Sequence, residues 1–153
     1  MLTVRPRVTH RASLRHQRGV GLIEVLVAVV VLAIGLLGLA GLQLRTLRDN
    51  ESSYERGMAV IETHSIADAM RADRTNAING VFNLALADPT PTGTSFADSA
   101  LASWRANLIR MLGSAASGAV KCNGSDCTIT ITWDDSRGSG GSNTFSISTE
   151  VQL

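Results

Sequence analysis

The stretch that decides the fold of this chain is residues 19–44, which read GVGLIEVLVAVVVLAIGLLGLAGLQL. No charged side chain occurs from residue 25 to residue 42. At 1.5 Å per helical residue this part spans about 27 Å, close to the thickness of the hydrocarbon core of a bilayer. The stretch therefore predicts a membrane-spanning helix over residues 20–44, near the start of a 153-residue chain.

Basic residues are concentrated in front of this helix. Residues 1–19 contain no acid and five arginines, namely Arg5, Arg7, Arg11, Arg15 and Arg18. Positive flanks stay in the cytoplasm, so the residues after the helix are expected on the other side of the membrane. The whole chain carries +1, and without those arginines it carries −4. An acidic body suits a phosphate backbone poorly, so no nucleic-acid partner is expected.

Glu24 separates three interpretations of the apolar stretch. A secretory signal peptide fits the basic start and a loose cleavage match at residues 38–40, but the stretch is long for such a peptide. A plain signal anchor leaves the cost of Glu24 unexplained, because a charge at the bilayer centre costs about 2.5–3.5 kcal/mol. Reaching up to the lipid headgroups would lower that cost. The third interpretation is a prepilin, in which the carboxylate has a partner.

The residues GVGLIE at 19–24 resemble the processing site of type IV prepilins and type II secretion pseudopilins. The resemblance implies that a prepilin peptidase and N-methylase cuts between Gly19 and Val20 and then methylates the new amine of Val20. Glu24 becomes the fifth residue of the mature chain, where the family has a glutamate. The first mature residue is usually Phe in that family, and Val here is a mild departure.

The chemistry of these residues agrees with that resemblance. Gly19 has no side chain, so a protease can approach the backbone closely. The cut precedes the apolar helix, which is kept, and Glu24 can pair with the amine of a neighbouring subunit in an apolar bundle. Three glycines at 35, 38 and 41 predict either a helix that stretches on leaving the bilayer or simply close helix packing.

The longer apolar run, together with the strand-like CTITITWD at 127–134, is similar to the PilV family of minor pilins, the type IV pilus modification proteins. The resemblance is close over residues 19–44 and faint after residue 75. It implies a structural subunit that joins other minor pilins and the major pilin, primes pilus assembly near the tip, and supports adhesion and twitching motility. Its place would be the bacterial inner membrane, with the body in the periplasm, and then the pilus. The alternatives are the minor pseudopilin I of type II secretion and a signal-anchored periplasmic binding module.

Periodicity predicts that the helix continues amphipathically over residues 45–78 and ends at Asn79-Gly80, with a local weakening or bend at Gly57. The predicted buried stripe comprises Leu47, Tyr54, Met58, Ile61, Ala69 and Met70. Most of the charged residues are expected elsewhere on the helix, namely Arg45, Arg48, Glu51, Glu55, Glu62, Asp68 and Arg71.

Residues 79–153 predict the globular part outside the membrane. A loop with two prolines is followed by a helix over about 99–113, capped by Asp98 or Ser99 and anchored by an apolar face of Leu101, Trp104, Leu108 and Leu112. An antiparallel sheet is expected over about 119–151. The fold class is therefore α+β and type IV pilin-like: a long N-terminal helix packed on a small C-terminal antiparallel sheet.

The only two cysteines, Cys122 and Cys127, flank a turn-prone tetrapeptide. Zinc normally needs four ligands, so a disulfide is favoured over free thiols, which implies an oxidising compartment such as the periplasm. The sequence has no phosphate loop, metal cluster or catalytic triad pattern. Asp134-Asp135 is expected to be a solvated turn. We therefore expect no enzyme activity, cofactor, metal or small-molecule substrate.

Overall fold

The computed structural model describes residues 19–138 and 140–153, and the predicted arginine-rich leader up to residue 18 lies outside the described residues. The elements are α1 (Leu22–Ala72), α2 (Arg74–Ile78), α3 (Phe96–Leu112), β1 (Ser117–Asn123), β2 (Asp126–Trp133) and β3 (Phe145–Gln152). This confirms the predicted α+β, pilin-like architecture of a long N-terminal helix on a small antiparallel sheet.

Helix α1 is 51 residues long and begins directly after Gly21, whose carbonyl accepts hydrogen bonds from the amides of Glu24 and Val25. The helix continues through Gly57 without interruption, and the predicted local bend stays a prediction. Helix α1 ends at Ala72 because Asp73 adopts a non-helical backbone conformation, and the short α2 then ends at Ile78 with Asn79 as its C-cap, as predicted. The Asp73 carboxylate accepts hydrogen bonds from Asn76, a local side-chain contact typical of residues that interrupt helices.

The chain forms two compact units, Met1–Ala40 and Gly41–Leu153. Every described residue of the first unit is solvent-exposed. The second unit contains the hydrophobic core, to which α1, α3 and all three strands contribute. The apolar run therefore has no partner within the described part of its own unit, whereas the C-terminal half of α1 packs on the domain.

The buried stripe of α1 differs from the predicted one. The buried residues are Ser52, Glu55, Ala59, Glu62, Thr63, Ile66, Ala67 and Met70. Met70 belongs to both sets, Met58 and Ala69 are half-buried against the core, and Leu47, Tyr54 and Ile61 are exposed. The prediction was wrong for these last three because the face that packs on the domain mixes small and polar residues with Ile66 and Met70. Large apolar residues mark the opposite face.

Helix α3 begins at Phe96, three residues before the predicted start, because Ser95 is the N-cap. Its hydroxyl accepts a hydrogen bond from the Asp98 amide and donates one to the Asp98 carboxylate. This pair satisfies an otherwise unpaired amide of the first turn. The predicted apolar face of α3 is confirmed as buried, and Gly113 ends the helix with φ of 98°.

The three strands form one antiparallel sheet in the order β1-β2-β3. In it Val120 lies opposite Ile129, and Ile131 lies opposite Ile147. The sheet as a whole begins two residues earlier, at Ser117, and ends one residue later, at Gln152, than predicted. Helix α3 approaches β1 so closely at Gly118 that a Cβ there would lie 2.4 Å from the Trp104 ring.

Candidate functional site: the N-terminal half of the long helix

The predicted processing residues lie immediately before and within the first turn of α1. Gly19 and Val20 precede the helix in exposed, non-helical backbone, and an added Cβ at Gly19 would meet no atom within 4 Å. A chain with these properties can be drawn into a protease as an extended segment. Glu24 lies in the first helical turn and is exposed.

Glu24 and Val20 lie along one side of the helix start. Together with Val25, Ala28, Val29 and Leu32 they line a shallow open groove, and among these described lining residues Glu24 is the one ionisable side chain. Negative charge in the first turn of a helix is favoured by the helix dipole. The predicted cleavage, methylation and pairing residues lie within six consecutive positions of the chain.

An unbroken exposed surface continues from these residues along α1. Every residue from 19 to 51 is exposed, and this includes large apolar side chains such as Leu22, Leu37 and Leu42. Among the described residues, α1 is the one helix long and apolar enough to cross a membrane by length and composition. Exposed apolar surface on this scale marks contact with lipid or with another protein.

The glycines at 35, 38 and 41 are open on all sides. An added Cβ would meet nothing within 4 Å at any of the three. Nothing in the described part of the chain therefore requires glycine there, and both interpretations given by the sequence, close packing against other helices and helix stretching, stay predictions.

Cys122 and Cys127 lie directly opposite each other in the β1–β2 hairpin and are joined by a disulfide. Cys127 is buried, whereas Cys122 is half-buried, and the amide of Cys122 donates a hydrogen bond to the Asn83 side chain. The bond links the two strands next to their two-residue turn. It belongs to the framework of the domain rather than to a reactive site.

The predicted solvated turn at Asp134-Asp135 is wrong for its second residue. Asp135 is 1% exposed, and its carboxylate accepts a hydrogen bond of 2.8 Å from Arg56 of α1. Arg137 pairs with Glu51 and with Glu55, also on α1. These ion pairs attach the loop after β2 to the helix. Sequence reasoning missed them because the partners are about 80 residues apart.

Two glutamates on the buried side of α1 have perturbed acidity. Burial raises the pKa of Glu55, while the neighbouring guanidinium of Arg137 acts in the opposite direction. Burial likewise raises the pKa of Glu62, with Arg110 as the opposing charge. Both side chains are buried, and the described residues include no group of three His, Cys, Asp or Glu side chains that could hold a metal ion.

Comparison with known proteins gives a match at the N-terminal part of the chain, which includes the first half of α1. A family model for the prokaryotic N-terminal methylation motif matches residues 14–40. The match contains Gly19, Val20, Glu24 and most of the exposed apolar run. No curated protein and no solved structure matches the chain. The methylation motif indicates that this protein is a type IV pilin-like or pseudopilin-like substrate of prepilin peptidase.

Proposed function

We propose that this protein is a minor pilin of the type IV pilus, of the PilV type. It is inserted in the inner membrane with its domain in the periplasm, cut between Gly19 and Val20, and methylated on Val20. It then joins other minor pilins in a complex that primes assembly of the major pilin. The observation that carries the proposal is the match of the methylation motif to the first part of a helix whose side chains are all exposed up to residue 51.

In the proposed organisation, residues 1–19 are the leader and residues 20–44 are the membrane and filament segment. Residues 45–78, the amphipathic helical part, and residues 79–153 form the periplasmic body. Cleavage leaves the helix intact and creates a charged amine at Val20. Residues Val20 and Glu24 are separated by about one helical turn, so the amine of one subunit can meet Glu24 of another. Pairing the two charges lowers the cost of burying each in an apolar bundle.

The direct test is the intact mass of the chain purified from cells with a working pilus machinery. The expected mass is that of a chain that begins with N-methyl-Val20. A chain that keeps the first 19 residues contradicts the proposal and favours the signal-anchored binding module. The variant Gly19→Val serves as the control, because a branched side chain hinders approach of the protease and should leave the leader attached.

Glu24→Ala tests the pairing step separately from processing. We expect this variant to be cut normally, and to be at least about tenfold less abundant in sheared pili than the wild-type chain, because the partner amine loses its counter-ion. The control is Ala28→Ser, one turn further along the same groove, which leaves the carboxylate in place. Equal amounts of Glu24→Ala and wild-type chain in pili would refute this role.

The second candidate is a minor pseudopilin of type II secretion, which shares the methylation motif with pilins. Deletion of the gene separates the two machines. Loss of surface pili with normal secretion of exoproteins supports the minor pilin. The opposite phenotype supports the pseudopilin.

A further inference from the structure

The two edges of the three-stranded sheet are in different environments. The outer edge of β1 is covered by the segment before α3: Val120 and Leu84 exchange two backbone hydrogen bonds of 2.9 Å. One residue pair further along, the Cys122 amide donates to the side-chain oxygen of Asn83 at 2.7 Å. In the other direction, the Gly118 carbonyl accepts from a buried guanidinium of α3. The β1 edge is therefore closed by the chain itself.

The register shows which backbone groups of β3 point away from the sheet. Val120 directs its amide and carbonyl outward to Leu84, so its pair with Ile129 is a non-hydrogen-bonded pair. Ile129 consequently turns its backbone groups toward Thr149 of β3. Leu153 lies four residues after Thr149, and its amide likewise donates to a carbonyl on the β2 side, that of Ser125. The backbone groups of the alternate residues therefore point away from the sheet, namely those of Ser146, Ser148, Glu150 and Gln152.

This outward row has no backbone partner within residues 19–138 and 140–153. Proteins normally protect such an edge with charged side chains, above all lysine, or with proline, a bulge or a covering segment. Strand β3, FSISTEVQ, has a single charge at Glu150 and no Lys, Arg or Pro, and it pairs with β2 without a bulge over all eight residues. The side chains of Phe145, Ile147 and Val151 face the core but are only half-buried. An additional strand beside β3 would cover them.

We infer that the free edge of β3 takes up an extended strand from a neighbouring, different subunit of the assembly. A row of alternating amides and carbonyls is matched only by another extended backbone, so the occupant is a polypeptide strand. Apolar side chains at every second position would cover the half-buried row, and a Lys or Arg would lie opposite Glu150. The inference rests on the proposed function, which places other pilin-like subunits beside this one.

A second copy of the same chain fits this edge poorly. Antiparallel pairing of β3 with β3 would leave Glu150 of each copy without a basic partner, because β3 carries no Lys or Arg. Parallel pairing about an axis along the strands would turn the apolar row of one copy toward the polar face of the other. The strand of a different subunit has neither restriction.

The test removes one outward donor and leaves the β2–β3 ladder intact. In Ser148→Pro the missing amide is one that points away from β2, whereas Ser148→Ala loses the same hydroxyl but keeps the amide. Both full-length variants are produced in cells with their own pilus machinery. We expect equal processing at Gly19, and at least about tenfold less Ser148→Pro than Ser148→Ala in sheared filaments.

Equal amounts of the two processed variants in filaments would overturn the inference and leave the proposed function standing. A chain that is never processed would overturn both. The pair Glu150→Pro and Glu150→Ala repeats the comparison at a second outward position, in case one proline disturbs folding. Amide exchange of the full-length wild-type chain in detergent adds a direct reading: Ser148 and Glu150 should exchange faster than Ile147 and Thr149. If the Ser148 amide were protected as strongly as the Thr149 amide, the β3 edge would already be occupied and the inference would be overturned.

Discussion

The two halves of α1 satisfy opposite requirements with the same backbone conformation. Residues 22–40 expose large apolar side chains on every side, whereas residues 52–70 bury a stripe of small and polar side chains together with Ile66 and Met70. The first half is therefore built for surroundings that the described part of this chain does not supply. The second half is built for a close fit to its own domain. High hydrophobicity identifies what a helix needs, and only the tertiary packing identifies what it contacts.

The largest expected difference between the halves comes from truncating a leucine in each. Leu108→Ala removes a fully buried side chain of the domain and should lower the free energy of unfolding by about 2–5 kcal/mol. Leu37→Ala, at a position in the first half of α1 that is 74% exposed, should leave the free energy of unfolding unchanged. Denaturant unfolding of the full chain in detergent, followed by the fluorescence of Trp104 and Trp133, measures both. If Leu37→Ala lowered the free energy of unfolding by a comparable amount, the two halves of α1 would not differ in the way described.

A pair of glycine substitutions sharpens the same contrast. In Gly118→Ala the new methyl group would overlap the Trp104 ring, so we expect a loss of about 1–3 kcal/mol. Gly38→Ala meets no neighbouring atom and should leave the domain as stable as before, with a slight gain in helix propensity. The same unfolding measurement applies. Full stability of Gly118→Ala would mean that α3 can move away from β1 at little cost.

Removal of the disulfide tests how much it stabilises the β1–β2 hairpin. A bond that closes so short a loop is expected to contribute about 2 kcal/mol in the chain-entropy model. Cys122→Ala combined with Cys127→Ala should lower stability by that amount, and reducing agent should lower the wild type equally. Reducing agent should not affect the double variant. If reducing agent also lowered the stability of the double variant, its effect on the wild type could not be assigned to the disulfide.

The smallest effect is expected from acidity on the buried side of α1. Because burial raises the pKa of Glu62 above 4.5, the folded state holds this proton more tightly than the unfolded state. The contribution of Glu62 therefore becomes less favourable as the pH rises through the raised pKa. Glu62→Gln should raise the Tm slightly at pH 7 and give no gain well below pH 4.5. Asp68→Asn, on the exposed side of α1, is the control.

If Glu62→Gln raises Tm equally at both pH values, the gain does not come from removing the charge. If it lowers Tm at pH 7, the attraction to Arg110 outweighs the cost of burial. Either result would correct the assignment of the two effects on this carboxyl.

Several features of the fold could be predicted from local pattern. The β-hairpin followed from the alternation of Thr and Ile around Asn123-Gly124, and the face of α3 followed from apolar spacing. The end of α1 at Asp73 and the cap at Ser95 were missed by a few residues. At Asp73 a short polar side chain forms a local hydrogen bond where the helix is interrupted, and at Ser95 one caps the start of α3; several residues nearby could have done the same.

The buried stripe of α1 and the ion pairs of the loop at 134–138 could not be predicted in the same way. Leu47, Tyr54 and Ile61 recur at helical spacing and gave the wrong face, because periodicity reports a preference of the helix and not the shape of its partner. Asp135 looked like a surface residue because Arg56 is distant in sequence. The candidate processing residues, by contrast, lie within six consecutive positions.

The sequence by itself determined the membrane-like stem, the methylation motif with Gly19, Val20 and Glu24, and the α+β class, because each depends on neighbouring residues or on a short period. Tertiary structure alone decided which side of α1 is buried, which acid is paired, and which edge of the sheet is left open. Those outcomes depend on contacts between residues far apart in the chain, and their energies arise only when the segments have been brought together.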